Sequence, residues 1–154
     1  MSRLLVLSDS HGNSTRLQKI LDNVDDYQYI IHCGDGAHDL LNCVVPKGVK
    51  KIQVLGNVDL WRDLPFEREE IFEINNFRFL ITHGDLYNVK NGYGLLTDIL
   101  AERECHGVFF GHTHIKYYFH ENFYYFNPGP SSHGVFGIVD VKDNLTFTHY
   151  KIDE

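Results

Sequence analysis

Apolar residues come in short runs along this chain, and most runs end in a small polar block containing histidine, aspartate, asparagine or glycine. Residues 3–8, 29–33, 51–55, 70–74, 77–82 and 107–110 read as strands by length and β-branched or aromatic content. Helical spacing separates several of them. Asn13 or Ser14 can cap a helix that places Leu17, Ile20, Leu21 and Val24 on one face. A shorter helix is expected over 37–43, and another over 93–104, with Gly107 just past its end. Asn75-Asn76 between two strand runs predicts a hairpin, and Trp61 and Pro65 fall in a loop.

Beyond residue 110 the pattern turns to strands alone, at 116–120, 123–126, 135–141 and 145–152, with turns at Glu121-Asn122 and Asp143-Asn144. Alternating strands and helices followed by hairpins predict an α/β fold, with two mixed β-sheets packed face to face and helices outside. The 154 residues are expected to form a single domain, 1–154, with no linker, repeat or low-complexity stretch.

Composition narrows the classes of function. A formal net charge of −7 leaves no surplus of Lys and Arg to displace counterions, so a long nucleic-acid partner and a nuclease role are disfavoured. Cys33, Cys43 and Cys105 are odd in number and lack knuckle spacing, so they read as small core side chains. The run at residues 4–7 meets Asp9 and His11 too soon for a signal peptide or membrane span, and a cytoplasmic protein without a membrane partner is expected.

The candidate chemistry lies in the polar blocks: Asp9-Ser10-His11, Gly34-Asp35, Gly56-Asn57, His83-Gly84 and Gly111-His112-Thr113-His114. Each follows a predicted strand, where ligands bind in open α/β sheets. Each block alone has an ordinary structural explanation, such as a turn or a satisfied strand-end histidine. Five in order, each offering a side chain that binds a divalent metal, point to a two-metal hydrolytic site. No Gly-x-Ser-x-Gly elbow or P-loop competes with that reading.

These blocks, from Asp9 to Asn127-Pro128-Gly129, resemble the D-x-H, GD, GN, H and GH-x-H pattern of the calcineurin-like metallophosphoesterase superfamily. The short length and the Ser8-Asp9-Ser10-His11-Gly12 opening are similar to the compact YfcE-type phosphodiesterases. The resemblance implies a four-layer sandwich in which Asp9, His11 and His114 bind one metal, Asn57, His83 and His112 bind a second, and Asp35 bridges both. Mixed carboxylate, imidazole and amide ligands suit Mn first, with Ni, Zn or Fe compatible. In such a site a carboxylate holds two ions roughly 3.5–4 Å apart, and the water between them ionises near neutral pH and attacks phosphorus in line. The implied function is a dinuclear metal-dependent phosphodiesterase or phosphatase acting on a small phosphodiester or phosphate ester, a nucleotide or cyclic nucleotide among them. The alternative is a non-catalytic protein-interaction scaffold of the same fold, as in the retromer subunit.

Two departures matter. Val58 stands where larger members carry a histidine after the GN asparagine, which leaves the general acid open, with Asp59, His38 and His133 as candidates. The family's Asn-Pro-Gly-Ser becomes Asn127-Pro128-Gly129-Pro130. Asp85 is expected to orient an imidazole ligand. His32, His106, His120 and His149 read as structural or surface residues, Trp61, Phe66, Tyr87 and Tyr93 as core or rim packing rather than a base-stacking platform, and exposed aromatics within 117–126 suggest a homo-oligomer.

Overall fold

The computed structural model describes residues 1–152; the last two residues of the expected 1–154 domain lie outside the described residues. Two mixed five-stranded sheets face each other. The first has the order β10-β9-β1-β2-β3, built from β1 (Ser2–Leu7), β2 (Tyr29–His32), β3 (Lys50–Gln53), β9 (Val135–Val141) and β10 (Leu145–Lys151). The second has the order β4-β5-β6-β8-β7, from β4 (Glu69–Ile74), β5 (Phe77–Thr82), β6 (Gly107–Phe109), β7 (Tyr117–His120) and β8 (Tyr124–Asn127). Strands β9 and β10 in one sheet and β4 and β7 in the other join antiparallel, while β1, β2 and β3 run parallel in the first and β5, β6 and β8 run parallel in the second.

The sequence dictates the layering. In β1 all of Leu4 to Leu7 is buried because the strand is covered on both faces. Leu4 and Val6 point between the sheets and join Ile31, Phe79, Phe109 and Phe126. Leu5 and Leu7 point outward to Leu17, Ile20 and Leu21 of helix α1 (Ser14–Asn23) and Leu40 of α2 (Ala37–Leu41). On the far side, Leu80, Val108 and Phe110 meet Leu96 and Leu100 of α3 (Gly94–Glu102). The result is the expected helix–sheet–sheet–helix sandwich.

Two local signals act as read, whereas α3 ends at Glu102 with Glu104 in the left-handed conformation and Gly107 already in β6, and α2 stops at Leu41. The Asn13 side chain accepts the Arg16 N–H to start α1, and Asn75 takes the left-handed conformation the β4–β5 hairpin needs. Unforeseen from the sequence are the short 3₁₀ turns that follow the strands, at Asn57–Trp61, Asp85–Tyr87 and Ser131–His133. The three cysteines are free, with Cys33 and Cys105 buried. Among the described residues no helix is long and apolar enough to cross a membrane.

Parallel strands within each sheet place six chain exits on common edges, after β1, β2 and β3 in one sheet and after β5, β6 and β8 in the other. Phe109, fully buried between the sheets, packs against Phe79 and Phe126 of its own sheet in the core shared with Leu4, Val6 and Ile31. Phe109→Ala is expected to cost about 3–5 kcal/mol, read as a lowered midpoint in chemical denaturation.

Candidate functional site

The chain leaves β1 through a backbone that side chains rarely adopt. Among the described non-glycine residues nine have positive φ, and five of them are Asp9, His11, Asp35, His112 and His114. Such conformations persist where the surroundings over-determine them, and they cluster at working sites. The turns are also tightly nested. A Cβ on Gly56 would lie 2.1 Å from Asp35 Oδ1, and one on Gly111 would lie 1.9 Å from Ser8 Oγ and 2.5 Å from Asp9 Oδ2. Only glycine lets these neighbouring loops approach the carboxylates so closely.

Six of the seven expected ligands fall into two clusters, Asp9-His11-His114 and Asp35-His83-His112, each with its candidate ligand atoms within 4.8 Å of one another. In the first, Asp9 Oδ1 stands 3.4 Å from His11 Nε2 and 3.2 Å from His114 Nε2. In the second, Asp35 Oδ2 stands 3.0 Å from His83 Nε2, which is 3.2 Å from His112 Nδ1. The clusters share a boundary, because His11 Nε2 lies 3.9 Å from Asp35 Oδ2 and His83 Nε2 lies 3.9 Å from Asp9 Oδ1. Asn57, the seventh, begins the 3₁₀ turn between Gly56 and Val58, and the Val58 N–H donates to Asp35 Oδ1 at 2.9 Å.

Two features of this geometry fit a bound cation. Asp9 Oδ1 is buried and accepts no hydrogen bond from the standard donors around it, an expensive state for a carboxylate oxygen without a positive partner. His11 Nε2 and His114 Nε2 face each other at 3.1 Å, an approach in which one nitrogen at most donates to the other. His83 Nδ1 meets the Cys33 carbonyl at 2.8 Å and must donate to it, which frees Nε2 to face the cluster.

The electrostatics follow from the same contacts. Burial pushes both Asp9 and Asp35 up, but the imidazoles outweigh it: the nearby His11 ring and the charge of His83 hold Asp9 below the usual carboxylate value, and the contact with His83 and its charge hold Asp35 below it. His11 is raised by the neighbouring Asp9 carboxylate against burial. Burial pulls His83 down, yet Asp35 and Asp9 leave it raised. His112 is lowered, by burial and then by His83.

Residues that do not face the clusters hold them in place. The buried Asp59 carboxylate accepts N–H bonds from Asp35 (2.8 Å), Gly36 (3.0 Å), Ala37 (3.4 Å) and Gly56 (2.9 Å). Under β1, the Gly34 N–H donates to His32 Nδ1 and leaves Nε2–H to donate to Ser10 Oγ, which donates to Asp39 Oδ2 at 2.7 Å; Asp39 Oδ2 also accepts the Gly12 N–H. Burial lowers the His32 pKa, in keeping with a neutral imidazole. The Asn127 amide donates to the Gly111 carbonyl and Thr113 Oγ1, fixing the loop that carries His112 and His114. The sequence reading gave no role to Ser10, Asp39 or Asn127 and saw no relay through His32, which it read as structural or surface, since a single buried polar residue has no signature until its partners are known.

Asp85 differs from expectation: Arg68 captures its Oδ2, so it contributes charge near His112 while its hydrogen bond goes to a guanidinium. Of the candidate proton donors, Asp59 is this loop clamp. Half-buried His38 lines a cavity of about 240 Å³ together with His11 and Asp35. His133 stands exposed at the end of a 3₁₀ turn whose Ser131 and Ser132 amides bind the Ser8 and Asp9 carbonyls. Asp59→Ala should strand several buried amides and destabilise the fold by roughly 2–4 kcal/mol, with Asp59→Asn, which keeps one acceptor, losing less in thermal denaturation.

Residues 2–144 match the sequence model of the calcineurin-like phosphoesterase superfamily domain. The Bacillus subtilis protein named probable metallophosphoesterase YsnB is 32% identical over 118 residues, covering 73% of this chain and 64% of the relative, so the chain spans a little under two thirds of that relative's length. Among solved structures, a Streptococcus pneumoniae protein described as a predicted phosphoesterase superposes with a TM-score of 0.80 at 21% identity, over 97% of this chain and 89% of that one. A novel archaeal phosphodiesterase gives 0.73 at 19% identity over 97% and 99%. Entamoeba histolytica Vps29 complexed with Zn²⁺ gives 0.72 at 16% identity over 97% and 98%. At these identities the structural likenesses establish the fold, and the sequence match establishes the lineage. The chain belongs to the calcineurin-like phosphoesterase superfamily.

Proposed function

We propose that residues 1–154 form one domain that hydrolyses small phosphodiesters at a dinuclear metal site. Asp9, His11 and His114 would hold one divalent ion, Asn57, His83 and His112 the other, with Asp35 between them. The observation that carries this reading is the pair of clusters meeting at Asp9 and Asp35, each carboxylate buried and facing imidazole nitrogens of both clusters. The donor set of carboxylate, imidazole and amide suits Mn, with Ni, Zn or Fe alternatives. When bound, two such ions make water acidic enough to ionise near neutral pH and offset charge on the phosphoryl oxygens.

The chain's own residues supply position. The Val58 N–H and the Asp59 clamp aim the Asp35 carboxylate, Ser8 and the His112 amide aim Asp9, and the Cys33 carbonyl sets the His83 tautomer. For the leaving group we assign proton donation to His38, which lines the cavity beside His11 and Asp35, because the Asp59 oxygens are committed to backbone amides and Val58 carries no proton. The interaction-platform alternative gains no support from the ligand positions, all seven of which hold a ligand-type residue.

Purified protein should retain up to two equivalents of metal by elemental analysis and hydrolyse an aryl phosphodiester when supplied with Mn²⁺. Asp35→Asn and His112→Ala should each lower kcat/KM by about a hundredfold or more. In the same assay His38→Ala should slow esters with poor leaving groups at least about tenfold more than those with good ones. Wild-type levels in the first two variants, or an inactive wild type at every metal, removes the enzyme reading; equal effects on both ester types remove His38 as donor.

Proton competition sets the pH dependence. His11 and His83 sit above the ordinary imidazole value, so their ring nitrogens retain protons to higher pH than a free histidine, and a cation must displace them. Metal affinity should therefore fall as pH drops through neutrality, with protons released on binding. Calorimetric titration in buffers of different ionisation enthalpy counts those protons, and a pH-independent affinity contradicts the assignment.

A further inference from the structure

Trp61 is the chain's single tryptophan, and it is 73% exposed, where the sequence suggested core or rim packing. An indole so exposed adds little to the core. It is not an isolated surface residue. It closes the 3₁₀ turn Asn57–Trp61, whose Val58 and Leu60 are also exposed, and it lines the same cavity of about 240 Å³ as His11, Asp35 and His38.

From this juxtaposition we infer that Trp61, backed by Arg62, is a stacking subsite for a planar aromatic group, aryl or nucleobase, carried by the phosphoester. The assignment rests on the phosphoesterase reading above and names the class of substrate. Three observations carry it. First, the turn is rigidly tied to the ligand clusters. The Val58 N–H holds Asp35 at one end, Asp59 grips the Asp35 and Gly56 amides from the middle, and the Arg62 N–H closes the other end on the Asp59 carbonyl. The turn backbone that carries Trp61 is therefore anchored beside the carboxylate proposed to lie between the metals.

Second, the Arg62 guanidinium packs 4.4 Å from the indole centroid. That contact favours the observed ring orientation and leaves much of its surface open to solvent. Third, Arg62 is the single permanent cation among the side chains lining the cavity. In a chain of formal charge −7 it adds a fixed positive charge beside the proposed metal ions for an anionic ester. A flat ring flanked by a cation suits an aromatic group attached to phosphate, and stacking of one such ring is worth roughly 5- to 100-fold in affinity.

Because the indole is unique, its fluorescence reports on this subsite alone. The full chain loaded with Mn²⁺ is titrated with phenyl phosphate, adenosine 5′-monophosphate, methyl phosphate and inorganic phosphate. Phenyl phosphate and the nucleotide should quench the indole and bind at least about tenfold more tightly than methyl phosphate. By calorimetry Trp61→Phe should keep most of that preference and Trp61→Ala should abolish it. In turnover, the ratio of kcat/KM for p-nitrophenyl phenyl phosphate over p-nitrophenyl methyl phosphate should fall about tenfold in Trp61→Ala.

Equal affinity for phenyl and methyl phosphate in the wild type overturns the subsite. So does an aromatic preference untouched in Trp61→Ala, or loss of methyl phosphate binding along with phenyl phosphate in that variant. Trp61-dependent stacking without turnover of either ester sinks the phosphoesterase reading and leaves the subsite. Turnover of both esters with no aromatic preference does the reverse.

Discussion

Two carboxylates, Asp9 and Asp35, are buried side by side where the two sheets meet, and the surrounding structure is organised around their charge. A buried carboxylate is costly unless positive or hydrogen-bonding partners converge on it. Here four imidazoles and the Val58 and His112 amides do so, drawn from the exits of β1, β3, β5 and β6. Convergence of that kind requires parallel strands, because only parallel neighbours deliver successive loops to one edge. The aromatic core between the sheets then brings the two edges together.

The cost of that convergence appears in the backbone. Asp9, His11, Asp35, His112 and His114 all sit in the left-handed region, and their strain is offset by contacts from residues that face away from the clusters. Asp59 gathers four amides from two loops, Asp39 and Ser10 tie the Gly12 amide to His32, and Asn127 pins the Gly111–Thr113 turn. The holding residues are as polar as the proposed ligands, so side-chain type alone does not separate the two roles.

Much of the molecule was legible in the chain. The apolar runs located all ten strands to within a residue or two, and the Asn13 cap and Asn75 turn marked local boundaries where they occur, since these features depend on near neighbours. The ligand-type blocks were legible because they recur after strands. Asp85 and Trp61 were not. Arg68 lies 17 positions from Asp85, and no local pattern announces that it will capture that carboxylate. Trp61 looks like packing in a list of aromatics, and its exposure arises from the rigid turn that carries it past the cavity rim.

By itself, then, the sequence determined the period of each element, the order of the blocks and the kinds of atom they offer, since these depend on residue identity and spacing. Tertiary structure alone decided which blocks meet, which nitrogen of His83 faces the carboxylates, that Asp59 clamps a loop, and that Trp61 opens onto the cavity. Each of those outcomes depends on contacts between residues far apart in the chain, set when two sheets close over one core and leave their loops at a shared edge.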